Sequence, residues 1–595
     1  MPESAELFEM GADALEAERY GEAITALLAY VAVCDDAEGW YNLGLAYHGG
    51  GDDAAAAVAW RRALATGPTE PGLLQALFDA AEVLLERLCL LEAKPLYESL
   101  LSDAQLGVHA SLRLTWCLHL LGRDEEALPV LTQGLMHWPG NLALKLQQTL
   151  LLPMLYPSRE AMVFWREHLL TRLDELEGWL RSPAGLSMSP IRLPSPIFDL
   201  MSQGEDEKML LQRISAVWRR IFVPPQPALA PRRPGRPRLG IVTVSAYNHS
   251  TIHYFLGMLE LLAGQRSLET AMFYFGEQQD DTTAYLHTLT DQFTQLPMTL
   301  PEGIQAILDW QPDILFYLDI GQEGLLYSLA HLRLAPVQCV SAGIPITTGI
   351  ANMDYYLSSS WFEPPEAQAY YSETLICLAD PMVCMRPPQV TDPLRGRSAF
   401  GLAEDKHLYI FPHTLIRVDP ELDELMARIL LQDPRGQLIF IQDRQGQLYR
   451  QLQARFGGRY PELADRLRFL APMPQPDFLN LVALCDVALD SLRLGGGNVS
   501  FQCFWVGTPI IHCPTRFLRC RIAAGLYRLA GLDEWIAADH DDYVAKAVKL
   551  GTQPRLRLAL SERMRQASRE RIFNRSEGVE AAFALFEKWA GARID

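Results

Sequence analysis

The chain has 595 residues, 49% of them hydrophobic, with a formal net charge of −20 and an isoelectric point near 5.2. At roughly 100–200 residues per domain this is material for three or four domains. An acidic surface of this size repels a phosphate backbone, so nucleic acid is not an expected partner. The ten cysteines are scattered, without a CxxC pair or a His/Cys cluster at metal-ligand spacing, which points to free thiols in a reducing cytoplasm. The opening stretch MPESAELFEMGADALEAERYGEA is acidic and lacks the apolar core of a secretory signal. No apolar run reaches the roughly 18–20 residues that span a bilayer.

The first third reads as a helical repeat array. WYNLGLAY (40–47) carries the W-x2-L-G-x2-Y pattern of a tetratricopeptide (TPR) repeat, followed at the expected offsets by Ala56, Trp60, Ala63 and Pro68. Trp40, Leu43 and Tyr47 share one helix face, Gly44 and Ala56 are small where two helices cross, and Pro68 is placed to stop the second helix. Leu7, Gly11, Ala14, Ala23, Leu27 and Tyr30 fit the same frame one repeat earlier. Leu114, Leu118, Ala127, Leu131 and Pro139 fit it later, and the stretch about 72–105 is helical but degenerate. Three or four repeats over 5–142 are expected, stacked into a superhelix that binds extended peptides or partner helices.

Residues 143–220 read as further helices bearing Trp165, Trp179 and Trp218. The Pro- and Arg-rich run 224–238 then breaks the helical pattern and marks a boundary, expected as a solvated linker. Beyond it the period changes. Short apolar strands at 239–244, 271–274, 314–318, 337–340, 355–357, 408–411, 438–441 and 487–489 alternate with helices such as 253–264. That alternation means parallel α/β sheet, and the two groups of strands suggest two Rossmann-like halves with ligands beyond the strands' carboxyl ends.

Four loops at strand ends carry the candidate chemistry. The first, SAYNHST (245–251), places His249 before a helix, where it can act on a ligand. The second, GIPITTG (343–349), includes Gly343 and Pro345; its glycines allow close backbone approach and its hydroxyls can hydrogen-bond. The third, HTLIRVDP (413–420), includes Thr414 and Arg417, with Asp419-Pro420 placed to cap the next helix. The fourth, GGGNVS (495–500), runs Gly495, Gly496, Gly497, Asn498 and Val499 into a helix at 499–506, presenting free N–H groups to phosphate. His253, His413, His512 and the arginines 516, 519 and 521 are further candidates near the same loops.

These segments, with LAPVQCVSAGIPITTG (334–349), MDYYLSSSWFEPPEAQAYYSETL (353–375), DVALDSLRLGGGNVSFQCFWVGTP (486–509) and GLDEWIAADHDDYVAKAVKLGT (531–552), resemble the catalytic region of the O-GlcNAc transferase family, including its bacterial relatives and the cytoplasmic N-glycosyltransferases that modify adhesins. The resemblance covers roughly residues 238–590. It implies an α-helical TPR-like superhelix (1–145), a helical region and linker (146–238), and an α/β GT-B fold of two Rossmann-like domains, an acceptor-side half (239–400) and a nucleotide-sugar half with C-terminal helices (401–595). It implies that His249 matches a histidine facing the active site and proposed as a general base. Arg417 matches a lysine that neutralises the donor diphosphate, and Thr414 a polar neighbour on the same phosphates. Gly497 and Asn498 match the phosphate- and sugar-side loop, and Met473 and Gln475 the segment that holds the uracil.

The sequence departs from the family where Gln502 replaces the acidic residue that grips the donor ribose, and where Gln475 and Arg417 replace lysines. Arg417 keeps the charge and can bind phosphate in bidentate fashion. The resemblance thus implies an inverting, metal-independent transfer from a nucleotide sugar, UDP-GlcNAc or a UDP-hexose, to Ser/Thr or Asn of a protein acceptor such as an adhesin, a flagellin or a cytoplasmic protein, recruited by the repeats. No cofactor is expected, and a homodimer is open. Two alternatives stand beside it: a flagellin glycosyltransferase using a CMP-nonulosonate, and a non-catalytic scaffold with a degenerate transferase half.

Overall fold

A computed structural model describes residues 4–67, 71–181, 196–390 and 394–591. The chain divides into two compact units, Met1–Met154 with Trp165–Ile191, and Leu155–Phe164 with Arg192–Asp595.

In the first unit, helices Ser4–Glu16, Tyr20–Val31, Ala37–Gly49, Asp53–Ala65, Pro71–Glu86, Leu90–Leu100, Gly107–Leu120 and Asp124–His137 pack as four successive pairs, followed by Leu142–Leu150. The TPR signature maps onto the second pair as the pattern requires. A Cβ on Gly44 would lie 2.2 Å from Trp60 Nε1, and that nitrogen donates to Tyr41 O at 3.2 Å. Thirty-three residues earlier, Gly11 makes the same space for Leu27, whose Cγ lies 2.6 Å from the Cβ position. Ala56 and Ala63 are fully buried where the helices cross. Asp36 and Asp52 cap the two helices of the signature repeat, accepting from Gly39 N and Ala55 N, which satisfies helix-start donors that would otherwise lack partners. The degenerate stretch folds as a pair like the others. Pro68 lies outside the described residues. Trp165 is fully buried, and Trp179 lies under Lys145 Nζ at 3.8 Å.

The second unit holds two wholly parallel sheets. β1 (Arg238–Thr243), β2 (Glu269–Phe275), β3 (Gln292–Leu296), β4 (Ile314–Tyr317), β5 (Val337–Ser341), β6 (Tyr355–Ser359) and β7 (Thr374–Leu378) form the first, in the order β3-β2-β1-β4-β5-β6-β7. β8 (His407–Ile410), β9 (Gly436–Ile441), β10 (Leu467–Leu470), β11 (Val487–Leu489) and β12 (Ile510–Ile511) form the second, ordered β10-β9-β8-β11-β12. Each therefore reverses its strand order once, between β1 and β4 and between β8 and β11, as doubly wound sheets do. The central strands are buried apart from the first residues of β1 and β8, so they read as apolar runs. The strands that sequence reading missed are β3, β7, β10 and β12. β3 is a half-exposed edge of mixed composition and β7 a half-exposed edge of mostly apolar residues, β10 is an edge only partly covered, and β12 is two residues long.

The Pro/Arg run is exposed but is not a free linker. Arg232 pairs with Asp313 at 2.9 Å, Arg236 donates to Leu268 O at 3.1 Å, and Arg238 donates to Trp310 O at 2.6 Å. Its arginines tie it along the amino ends of the first sheet, where strands leave carbonyls and carboxylates unpaired. At the other end of the chain, helix Glu577–Gly591 returns to the first sheet, with Trp589 stacked on Tyr355 at 4.2 Å and Phe586 6.0 Å from Phe316.

Helix Ser250–Gly264 runs from the first strand towards Cys384. A Cβ on Gly257 would sit 1.9 Å from Cys384 O, a backbone atom with no room to retreat. Gly257→Ala is expected to destabilise the second unit by about 1–3 kcal/mol. Gly264→Ala, with nothing within 4 Å of its Cβ position, is expected to be neutral or stabilising by up to about 1 kcal/mol. Urea unfolding of both variants followed by tryptophan fluorescence checks the pair; equal midpoints would contradict the close packing.

Candidate functional site

The two points where strand order reverses put their loops around one cleft of about 310 Å³. From the first sheet come Ser250, Thr251, Tyr254 and Gln322, with the turn Gly343–Pro345. From the second come His413, Thr414 and Arg417, and the turn Gly495–Val499.

The first wall is organised by Asp319, buried at the end of β4. It accepts from Thr243 Oγ1 at 2.8 Å and from Val244 N at 3.2 Å, which bends the chain off β1 towards His249. Burial raises its carboxyl from the usual 3.8 to about 6, against the pull of hydroxyls at Ser245 and Thr243. Gln322 ties the two loops together, donating to Thr251 Oγ1 at 2.9 Å and accepting from Ser245 Oγ at 3.2 Å. Gly343 is obligatory: a Cβ there would lie 2.0 Å from Leu318 O. The hydroxyls of the same turn do not serve a ligand. Thr347 and Thr348 are buried and donate to Glu373 at 2.6 and 2.5 Å, because a buried carboxylate needs donors from every side.

His249 is the N-cap of helix Ser250–Gly264. Its Nδ1 accepts from Thr251 N at 3.2 Å, which places the proton of the neutral ring on Nε2. Burial and the neighbouring His253 hold its pKa below the ordinary histidine value. The ring is half-buried beside the cleft and does not line it; the two residues after it do.

The second wall is centred on Asp490, at the end of β11. Its carboxylate accepts from Ser491 N (2.9 Å), Gly496 N (3.0 Å) and His512 Nδ1 (2.7 Å). His512 Nε2 meets Cys520 O at 2.8 Å, so both nitrogens of that ring face acceptors. The hydrogen bond from His512 and the His413 ring close beside it hold the Asp490 carboxyl far below the usual range, against the cost of burial. Arg417 Nη1 donates to Gly495 O at 2.6 Å and Leu494 O at 3.2 Å, fixing the guanidinium against the glycine turn. A Cβ on Gly496 would strike His413 Cε1 at 2.7 Å. Asn498 opens helix Asn498–Val506, and its Nδ2 reaches Ser250 O at 2.7 Å, joining the two walls. Its Oδ1 and the hydroxyl of Tyr254 are buried without a hydrogen-bond partner. Asp419 caps helix Pro420–Gln432, accepting from Glu421 N and Leu422 N.

The structure thus brings Gly343, Pro345, Thr414, Arg417, Gly495, Gly496, Gly497, Asn498 and Val499 to one cleft. Met473 and Gln475 lie beyond β10, the edge of the second sheet, and Gln502 one turn into its helix; none of the three lines the cleft. The arginine cluster is largely structural. Arg519 is buried and donates to Glu205 O, Arg521 donates to Phe362 O and Thr515 O, and Arg516 lies over Tyr370 and Phe517. Sequence reading passed over Tyr254, Gln322 and Asp490. Asp490 left a signal, an acid directly ending an apolar strand; Tyr254 left none, being one more aromatic on an apolar helix.

Because its folded pKa is raised, Asp319 contributes stability that is fully present below about 3.8 and lost as pH rises through about 6. Asp319→Asn keeps a neutral group there. Between pH 4 and 7 the wild type is expected to lose on the order of 1–3 kcal/mol more than the variant, measured as urea midpoints across that range.

Residues 386–578 match glycosyl transferase family 41. The chain is 25% identical over 415 residues to the probable UDP-N-acetylglucosamine–peptide N-acetylglucosaminyltransferase SEC of Arabidopsis thaliana, spanning 66% of this chain and 42% of that one. It is 25% identical over 241 residues to the corresponding probable enzyme SPINDLY of Solanum lycopersicum, spanning 39% and 25%. It therefore spans less than half the length of these curated relatives. A mutant of the Thermobaculum terrenum O-GlcNAc transferase superposes with a TM-score of 0.54 at 21% identity, covering 100% of this chain and 99% of that one, and so shares the fold. The family match falls on the sheet that carries Arg417 and the glycine turn, and helix pairs followed by two doubly wound sheets are the fold shared with the bacterial structure.

Proposed function

We propose that the cleft binds a nucleotide sugar, UDP-GlcNAc or another UDP-hexose, and that the enzyme transfers the sugar with inversion to Ser/Thr or Asn of a protein acceptor recruited by the helix pairs. The observation that carries this is Arg417, pinned against the turn that opens helix Asn498–Val506. A fixed guanidinium beside the N–H groups of a glycine turn is a site for a diphosphate.

In the transfer, the acceptor oxygen or nitrogen bonds to the anomeric carbon as the bond to the diphosphate oxygen breaks. The electron pair leaves with the nucleotide diphosphate, and the acceptor's O–H or N–H proton passes to an oxygen of that departing diphosphate. Arg417, the Thr414 hydroxyl and the turn N–H groups offset the charge that builds there. Among the described residues that line the cleft none is a carboxylate, and Arg417 supplies a fixed positive charge there, which supports a metal-independent reaction. With Nδ1 occupied as a helix cap, His249 offers Nε2–H as a donor and so orients the acceptor. The buried and unpartnered Tyr254 hydroxyl and Asn498 Oδ1 suit the hydroxyls of a sugar, since an unmade buried hydrogen bond costs about 1–3 kcal/mol.

Thermal stabilisation of the full chain across UDP, UDP-Glc, UDP-GlcNAc, GDP, CMP and a CMP-nonulosonate tests the reading. A UDP-class shift is expected, abolished in Arg417→Ala and partly kept in Arg417→Lys. A shift with the CMP ligands alone would replace the donor class, and no shift with any ligand would favour a scaffold. Tyr254→Phe is expected to weaken UDP-GlcNAc roughly three- to tenfold while leaving UDP unchanged, which titration calorimetry measures; equal losses for both would remove Tyr254 from the sugar site.

A further inference from the structure

The charged or imidazole side chains in the cleft wall all come from the second sheet, and they are Arg417 and His413; the first sheet contributes Ser250, Thr251, Tyr254 and Gln322. His413 differs from its neighbour His512. Both nitrogens of His512 are engaged, by Asp490 and Cys520 O. The His413 side chain is 1% exposed, and its Nε2 stands 2.9 Å from Asp490 Oδ1 yet off the line of a hydrogen bond, leaving that nitrogen without a partner. Two backbone N–H groups and His512 also bond the Asp490 oxygens.

The groups that face the ring are Asp490 from the end of β11, Arg417 from its own loop and His512 from the end of β12. Burial, Arg417 and His512 disfavour the charged ring more than Asp490 favours it, so His413 is held below the ordinary histidine range. The cleft wall therefore carries a neutral imidazole beside a guanidinium. A diphosphate placed against Arg417 brings negative charge to the same wall and reverses that balance.

We propose that His413 is a proton-coupled anchor for the donor diphosphate: the neutral ring takes one proton from bulk solvent as the diphosphate enters and donates an N–H to a phosphate oxygen beside Arg417. With Nε2 turned towards Asp490, Nδ1 is the nitrogen left for the ligand. This rests on the reading of the cleft as a nucleotide-sugar site. It makes donor affinity fall with rising pH, by up to roughly tenfold per unit, while Arg417 stays charged throughout.

The test is titration calorimetry of UDP-GlcNAc into the full chain, in two buffers of different ionisation enthalpy at pH 7.5 and again at pH 6.5. The nucleotide sugar is chosen because its diphosphate is a diester with no titrating proton near neutrality, unlike UDP. The wild type is expected to take up close to one proton at pH 7.5 and to bind several-fold more tightly at pH 6.5. His413→Asn is expected to take up none and to bind with the same affinity at both values. His413→Gln serves the same comparison if the asparagine variant melts early in the absence of ligand. Binding by the wild type without proton uptake, or uptake that persists in the variants, would overturn the proposal and leave the transferase reading standing. Failure of the wild type to bind UDP-GlcNAc at either pH would remove the UDP-GlcNAc reading and this proposal with it.

Discussion

The second sheet is organised around one buried carboxylate. Asp490 ends β11 and spends its oxygens on Ser491 N, Gly496 N and His512, with His413 close by. Its backbone carbonyl accepts from Tyr543 at 2.9 Å. A carboxylate taken out of water holds its place only when donors surround it, and here those donors are Ser491 N, the glycine turn through Gly496 N and the residue after β12. The turn that faces the cleft is shaped by the demands of that buried charge, and Arg417 then closes it from outside through Gly495 O and Leu494 O.

The first sheet repeats the device with a different outcome. Asp319 is equally buried, but hydroxyls and a single backbone N–H surround it, without an imidazole. Its carboxyl titrates high where that of Asp490 titrates low, because only Asp490 has proton-bearing rings beside it. Both carboxylates stand at the points where strand order reverses, and each bends its loop towards the same cleft. One wall therefore carries the cation and the free imidazole, and the other carries neutral donors and acceptors. That division matches a ligand with a charged end and a polyhydroxylated end.

Much of this was legible beforehand. The TPR signature at 40–47 follows from steric need: Trp60 occupies the space that only glycine at 44 leaves open. The central strands declared themselves as apolar runs because both faces are covered. Edge strands did not, since half-exposed backbone tolerates Gln, Thr and Arg. Among the loops, Gly343, Arg417 and the turn 495–499 were found through their residue types at strand ends. The hydroxyls of Thr347 and Thr348 looked available and were not, because Glu373 comes from 25 or so residues away to claim them. The arginines at 519 and 521, open in the sequence between an anion site and a salt-bridged face, hold backbone carbonyls.

The sequence by itself determined the repeat array, the alternation of strand and helix, and the loops that hold a cation and a glycine turn, because those depend on local periodicity and on the residue types a backbone shape admits. Only the tertiary structure decided which of those loops share a cleft, that the C-terminal helix returns to the first sheet, and that His249 spends one nitrogen on its own helix while the His413 ring stands in the cleft wall beside Arg417. Hydrogen-bond partners and burial are set by residues distant in the chain, and they decide whether a polar group is consumed by the fold or left for a ligand.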